Sequence, residues 1–234
     1  MNQNLQKKKG LVQDVFNKVY NKYDLMNDIM SMGIHRLWKK DLINWLSPHP
    51  KKKLIDMACG TGDIGKLFLE STNYHGKVLF VDPNSHMIKK GIERLQNHNN
   101  ISWKKGTAEK VPAPNNHFDY YCISFGIRNT KNINKSLSEA YRVLKPGGRF
   151  LCLEFSKVQN THFNNIYKKY SKIIPHIGNI VVGEKKPYEY LVKSIENFIN
   201  QDELIELMQK NYFSNCQFRN LSGGVAAIHS GWKV

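Results

Sequence analysis

The chain has 234 residues, of which 41% are hydrophobic, 11% aromatic and 23% charged, a balance that suits one sizeable core and excludes wholesale disorder and collagen-like repeats. No stretch approaches the roughly 18–20 apolar residues of a membrane span, and the opening MNQNLQKKKG lacks the apolar segment of a secretory signal. Its 35 basic and 19 acidic residues leave a net charge of +16, an excess that favours polyanions such as nucleic acid, an anionic membrane surface or a phosphorylated substrate.

Val12, Val15, Phe16, Val19 and Tyr23 recur at helical spacing, and Trp38, Leu42, Ile43, Trp45 and Leu46 suggest a second helix ending near Pro48. From Lys53 the rhythm changes. Leu54–Ala58 reads as a buried strand, followed by a glycine turn and a helical stretch over Ile64–Leu69. Strand and helix then alternate through Lys77–Val81, Ser85–Leu95, Ile101–Lys104 and the apolar Phe118–Phe125. A helix from Lys131 to Leu144 stops at Lys145-Pro146-Gly147-Gly148, and Phe150–Phe155 follows as the fifth strand. The stretch from Thr161 to Lys210 is mainly helical. Cys216–Leu221 and Val225–His229 flank Ser222-Gly223-Gly224 as an antiparallel hairpin.

Such alternation predicts an α/β fold with a doubly wound, mostly parallel seven-stranded sheet closed by the C-terminal hairpin. The expected organisation is one domain over 1–234. It divides into a helical cap at 1–50, a ligand-binding core at 53–156, a helical insert at 157–212 and the hairpin at 213–234. Cys59, Cys122, Cys152 and Cys216 form no CxxC pair and join no histidine cluster. They are expected to be buried, reduced and structural, and no metal site is expected.

Asp56-Met57-Ala58-Cys59-Gly60-Thr61-Gly62-Asp63-Ile64-Gly65 joins the first strand to the first core helix. It contains a literal GxGxxG, which by itself is a weak sign of a dinucleotide site. Asp63 stands at the mouth of the turn, where its carboxylate would repel a pyrophosphate and welcome a cation. Asp56 below the turn would do the same. S-adenosylmethionine, with its sulfonium and ammonium, is such a ligand. Asp82, ending the second strand, is placed to hold two ribose hydroxyls; a plain turn at Asp82-Pro83-Asn84 is the bland alternative.

Asp56, Gly60, Gly62 and Asp82 together resemble the class I S-adenosylmethionine-dependent methyltransferases, a Rossmann-like fold, over residues 53–156. A more specific resemblance spans residue 11 to the C-terminus. Tyr23–Trp38 and Arg142–Ser156 are similar to the two signatures of the ubiquinone/menaquinone biosynthesis C-methyltransferases. Ser124-Phe125-Gly126-Ile127-Arg128-Asn129, Tyr188–Leu191 with Ser194-Ile195, and Leu221–His229 match as well. The resemblance implies an S-adenosylmethionine site at Thr61, Asp82, Thr107, Ala108 and Ser124. Departures from the family pattern fall on Cys59, Thr107, Ala113 and Asn115.

The implied reaction carries a methyl group to a ring carbon of a polyprenyl quinol of the 2-polyprenyl-6-methoxy-1,4-benzoquinol type, with a demethylmenaquinol as the alternative. The ring must be reduced, since a quinone carbon is electrophilic. The resemblance places Arg128 and Asn129 on the substrate. Arginine is a poor base but can stabilise a phenolate or orient a water; otherwise Arg128 pairs with an acid and shapes the pocket. His35 is the alternative base by its near-neutral pKa, or a packed structural residue. Tyr23 and Asp24 either cap the cofactor site or pack a helix.

Phe163, Ile166, Tyr167, Tyr170, Ile173, Ile174 and Ile177 sit at near-helical spacing among Lys168, Lys169 and Lys172. They offer a tail channel or a membrane-facing surface, or ordinary core. With the positive charge they lead to the expectation of a peripheral enzyme on an anionic membrane. Its place would be the bacterial cytoplasm or the cytoplasmic face of the inner membrane, or the matrix side of the mitochondrial inner membrane. A quinone-biosynthesis complex and a homodimer stay open. Nucleic acid is not expected as a partner, because no RNA-binding module and no Asn/Asp-Pro-Pro-Tyr/Phe tetrad is present. A non-catalytic subunit that keeps this fold is the remaining rival.

Overall fold

In the computed structural model, residues 28–31, 33–159 and 185–234 are described, with 167, 170, 171, 173–176, 179 and 183 between them. The helix expected over Val12–Tyr23, and with it Tyr23 and Asp24, lies outside the described residues, as does most of the stretch 160–184 within the insert.

Seven strands run in the order β3-β2-β1-β4-β5-β7-β6. They are β1 (Lys53–Met57), β2 (Lys77–Asp82), β3 (Ile101–Lys105), β4 (Phe118–Ser124), β5 (Leu144–Phe155), β6 (Ser214–Leu221) and β7 (Ala226–Trp232). The first five are parallel, while β7 pairs antiparallel with both β5 and β6. The helices are α1 (His35–Leu46), α2 (Asp63–Ser71), α3 (Ser85–Leu95), α4 (Ile133–Val143), α5 (Lys186–Glu196) and α6 (Gln201–Lys210). Chain order reverses between β1 and β4, and in open parallel sheets the crevice at that switch point takes the ligand.

Strand alternation divides the core into two layers. Leu54, Phe80, Cys122, Leu151 and Phe155 face one way, toward Trp38 and Leu42 of α1, Phe68 of α2 and Leu191 of α5. Ile55, Val81, Tyr121, Phe150 and Cys152 face the other way, toward Leu137 of α4 and Leu204 of α6. A strand buried on both faces has no polar side to alternate, hence the near-continuous apolar runs of β1, β2 and β4.

Local chemistry sets the helix ends. The Asn84 side chain accepts from the His86 and Met87 amides to start α3, and Asn132 accepts from Lys135 to start α4. Asn200 and Glu203 form a reciprocal capping box on α6. At the end of α1, Ser47 takes a left-handed conformation and Arg149 donates to the Trp45 carbonyl at 2.6 Å and the Leu46 carbonyl at 3.3 Å. A residue on β5 thus satisfies carbonyls that the helix leaves open.

The structure differs from the sequence expectation in two places. The Lys145-Pro146-Gly147-Gly148 turn lies inside β5: register slips between Phe118, opposite Leu144, and Tyr120, opposite Arg149, so the extra residues bulge out. All four cysteines are free, but only Cys122 and Cys152 are buried; Cys59 and Cys216 are half-buried because they lie at a turn and on the outer strand.

Candidate functional site

The glycine turn folds tightly against β2. The Gly62 amide donates to the Cys59 carbonyl at 2.9 Å, and Cys59 donates to Val81 at 3.2 Å. Gly62 has a φ of +90°, which favours glycine at the head of α2. A Cβ on Gly65 would lie 2.1 Å from the Phe80 ring, so this glycine serves helix–strand packing. A Cβ on Gly60 would meet nothing within 4 Å, so the space above the turn is open to a ligand.

The acids around the turn are each engaged differently. Asp82 accepts from the Gly60 amide at 2.9 Å and the Asn84 amide at 2.8 Å. Burial pushes its pKa up to about 6 against those two bonds, so it stays mostly ionised at neutral pH. Asp56 is almost fully buried, accepts from the Gly65 amide at 2.9 Å, and is pushed by burial up to about 8. At neutral pH, before any ligand arrives, it therefore holds a proton and anchors the start of α2.

Asp63 corrects the sequence argument. Its carboxylate is not an open negative charge at the mouth of the turn, because Lys39 of α1 reaches it at 2.6 Å and Arg94 of α3 at 2.5 Å. Burial alone would raise its pKa, but the two cations outweigh burial and hold it well below the usual carboxylate range. Arg94 also donates to the Thr61 hydroxyl at 3.2 Å. Helices α1 and α3 are thereby both tied to the turn by charge.

The remaining expected cofactor positions lie at neighbouring strand ends. The Gly106 amide donates to the Asp82 carbonyl at 3.2 Å and leads into Thr107 and the buried Ala108. Ser124 ends β4 beside β1, and its Oγ is buried with no hydrogen-bond partner among the described residues. A buried hydroxyl of this kind costs free energy unless a ligand engages it. The open face at Gly60, the ionised Asp82 and the waiting Ser124 hydroxyl fit a nucleoside-bearing ligand across the ends of β1, β2 and β4.

After Ser124, Phe125 takes a φ of +53°, and a short 3-10 turn, Ile127–Asn129, carries Arg128 and Asn129. Arg128 takes the pairing alternative that the sequence left open. Its Nη1 meets Glu154 of β5 at 2.5 Å and the Phe125 carbonyl at 2.8 Å, and both side chains of the ion pair are 1% exposed. Burial raises the Glu154 pKa while Arg128 pulls it back. The Tyr190 hydroxyl donates to Asn129 Oδ1 at 3.1 Å, and Arg128 Nε donates to Ser194 Oγ at 3.4 Å. Phe125, Phe155, Tyr188 and Ile174 belong to one buried apolar cluster, and the Arg128 guanidinium lies over the Phe155 ring, 5.5 Å from its centroid.

His35 stands apart from that group. Its Nε2 meets Asp28 at 2.9 Å, and Arg36 also pairs with Asp28. Burial, with Lys39 adding, lowers its pKa. It lines a cleft of about 670 Å³ with Thr61, Asp63 and Arg94, and that cleft contains none of Ser124, Arg128 or Asn129. Among the described residues no group of acids, histidines and cysteines is placed to hold a metal ion.

Glu154, Tyr190 and Ser194 were not singled out for a role in the sequence. The signals were there: Glu154 is the one acid in the apolar run Phe150–Phe155, and Tyr190 and Ser194 are four residues apart on one helix.

The family model described as the ubiE/COQ5 methyltransferase family matches residues 2–233. Two curated relatives are named ubiquinone/menaquinone biosynthesis C-methyltransferase UbiE. The Rickettsia akari protein is 47% identical over 97% of this chain and 94% of its own length, and the Ruegeria protein 45% identical over 97% and 92%. Among solved structures, an S-adenosylmethionine-dependent methyltransferase from Thermotoga maritima matches with a TM-score of 0.67 at 20% identity, covering 94% of this chain and 99% of its own. Haemonchus contortus phosphoethanolamine N-methyltransferase 2, in complex with S-adenosyl-L-methionine, matches with a TM-score of 0.63 at 15% identity, covering 84% and 52%. At these identities the two structures speak for the fold.

Proposed function

The chain belongs to the ubiE/COQ5 methyltransferase family, and from that premise we propose that it methylates a ring carbon of a reduced polyprenyl benzoquinol of the methoxy-benzoquinol type. It is an S-adenosylmethionine-dependent C-methyltransferase of ubiquinone/menaquinone biosynthesis. The relatives' names carry both pathways, so a demethylnaphthoquinol is the second reading.

The observation that carries the site assignment is the meeting of two sets of groups at the switch point. Gly60, Asp82 and Ser124 are arranged for a nucleoside-bearing cofactor, and Arg128 and Asn129 follow directly in an apolar compartment. When bound, S-adenosylmethionine supplies an electrophilic methyl group on sulfur. Asp82 would hold the ribose and Ser124 would give its hydroxyl a partner.

On the substrate side, a quinol hydroxyl would pass its proton to solvent, the electron-rich ring carbon would take the methyl group as the carbon–sulfur bond breaks, and the proton on that carbon would then leave to solvent so that the ring regains its aromaticity. Arg128 remains a cation while paired with Glu154, so it stabilises the developing phenolate and does not take the proton. The apolar cluster of Phe125, Phe155 and Tyr188 excludes water and suits a prenylated ring. Aligning ring carbon and methyl in such a compartment accounts for much of the barrier reduction.

A prenyl tail partitions into lipid, which supports work at an anionic membrane, at the inner-membrane cytoplasmic face of a bacterium. The net charge is +16. Ile34 at 38% and Leu37 at 58% exposure stand beside exposed Arg36 and Lys40 at the start of α1, an apolar-and-basic mixture that suits a lipid surface. Among the described residues no helix is long and apolar enough to cross a membrane. Sedimentation with anionic vesicles tests this part: binding at low salt and release at high salt are expected, and no binding at low salt overturns it.

The deciding experiment is methyl transfer from labelled S-adenosylmethionine under reducing conditions, with a short-tailed methoxy-benzoquinol and a demethylnaphthoquinol side by side. Label on the benzoquinol ring carbon is expected. Label on the naphthoquinol alone selects the second reading, and label on neither overturns both.

A further inference from the structure

We infer that Tyr190 is a positioning residue for the quinol, holding the Asn129 carboxamide so that its NH2 edge is offered to a ring oxygen in the anionic form. The inference rests on the quinol reading above.

Three hydrogen bonds carry it. Tyr190 Oη donates to Asn129 Oδ1 at 3.1 Å. A carboxamide has one acceptor oxygen and one NH2 group with two donors. With Oδ1 taken by the phenol, the Nδ2 edge is turned away from Tyr190. One helical turn on, Ser194 Oγ gives its proton to the Leu191 carbonyl at 2.7 Å. That commitment leaves the Ser194 oxygen as an acceptor, and Arg128 Nε donates to it at 3.4 Å. Four residues of spacing put Tyr190 and Ser194 on one face of α5, and that face engages two consecutive residues of the turn after β4.

The result is a pair of donor groups with fixed orientation. Arg128 has no acceptor to offer, and the bond from Tyr190 holds the Asn129 oxygen toward α5 and leaves the NH2 as the edge on the other side. Donors set in advance at the place where charge develops favour a phenolate oxygen over a neutral hydroxyl, which would need an acceptor for its own proton. Burial raises the Tyr190 phenol, keeping it a donor through the neutral range. Among the described residues, the titratable groups near this arrangement are Arg128 from the turn, Glu154 from β5, Tyr167 from the insert and Tyr188 from α5, whose phenol burial raises. Glu154 is engaged by Arg128, and burial pushes Tyr167 up to about 12.

Tyr190→Phe removes the hydroxyl and keeps the ring. The measurements are S-adenosylmethionine affinity by calorimetry and anaerobic methyl transfer to a short-tailed methoxy-benzoquinol from pH 6 to pH 10. Cofactor affinity is expected to match wild type. Turnover at pH 7 is expected to fall by about tenfold, the scale of one lost hydrogen bond. The gap should close toward pH 10, where the quinol ionises without help. A gap of constant size across pH would mark a merely structural role and overturn the inference, as would no gap at pH 7. Asn129→Asp is the second variant, since a carboxylate accepts and does not donate. It should lose at least tenfold at every pH, and retained turnover overturns the inference independently of how Tyr190→Phe folds. If the wild-type protein itself transfers no label, the quinol reading fails and the inference with it, a result distinct from either variant's.

Discussion

Asp56 beneath the glycine turn and Glu154 at the end of β5 are both 1% exposed, yet they are satisfied by different means. Asp56 has one backbone amide, from Gly65, and otherwise a proton. Glu154 has the Arg128 guanidinium together with the Phe155 amide at 2.9 Å and the Arg128 amide at 3.4 Å. The half proposed for the cofactor is built largely by backbone: amides hold Asp56 and Asp82, and glycines make room. The half proposed for the substrate is built by side chains from elements far apart in sequence. A backbone scaffold tolerates a neutral acid below the ligand. A buried guanidinium, by contrast, needs a full negative charge opposite it.

The largest expected loss of stability follows from that need. Glu154→Ala removes the carboxylate that Arg128 faces and should cost about 4 kcal/mol of stability, the scale for breaking one side of a buried ion pair. Thermal melting would then shift down by roughly 10 °C for a chain of this size. A shift under 2 °C would show that the substrate half does not depend on the pair.

On the cofactor side the comparable test is steric. Gly65→Ala puts a Cβ 2.1 Å from Phe80 Cε1 and 2.9 Å from Val78 Cγ1, and Phe80 is stacked on Trp103 with centroids 4.1 Å apart. Overpacking of this kind costs about 2 kcal/mol, read as a lower urea midpoint. An unchanged midpoint would mean that Phe80 moves freely, and the turn would be looser than its contacts imply.

Asp82→Ala addresses function and not packing. It removes the acceptor of the Gly60 and Asn84 amides as well as the expected ribose contact. S-adenosylmethionine affinity measured by calorimetry should fall about tenfold or more, the scale of a hydrogen bond to a charged group. Equal affinity would remove Asp82 from the cofactor site.

The two halves also differ in how readable they were. The strand order, the closing hairpin and the glycine turn follow from local pattern, because apolar runs, glycines and strand-ending acids lie within a few residues of one another. The pairing of the Asp63 carboxylate did not follow, since its partners are Lys39, 24 residues away, and Arg94, 31 away. The pairing of Arg128 was weighed beforehand as one of two alternatives, but its partner Glu154 lies 26 residues on, and Ser194 lies 66 on. Nothing local links residues at such distances. Only the sheet order, which puts β4 beside β5, and the seating of α5 over the turn bring them together. His35 was legible as a histidine near neutrality, while its pairing with Asp28 was not.

The most selective effect concerns Asp56. Its pKa is about 8 in the folded, ligand-free protein against 3.8 for an unperturbed aspartate. A raised folded pKa gives stability that is complete below the unfolded value and is lost as pH rises toward the folded one. Between about pH 4 and pH 8 the unfolded chain has given up this proton and the folded chain keeps it, so this residue makes stability fall as pH rises. Beyond pH 8 both states are ionised and the slope ends. Asp56→Asn keeps an oxygen for the Gly65 amide and has no proton to lose. Urea midpoints of the two ligand-free proteins should therefore diverge steadily from pH 5 to pH 8, with the variant the more stable at pH 8, and run parallel above it. Groups that do not sense the Asp56 charge contribute equally to both curves, so the difference reports this site together with the neighbours coupled to it, Asp63 and Asp82 among them. Parallel curves over the whole range would mean that Asp56 is already ionised in the folded protein, and the contrast with Glu154 would collapse into two carboxylates held the same way.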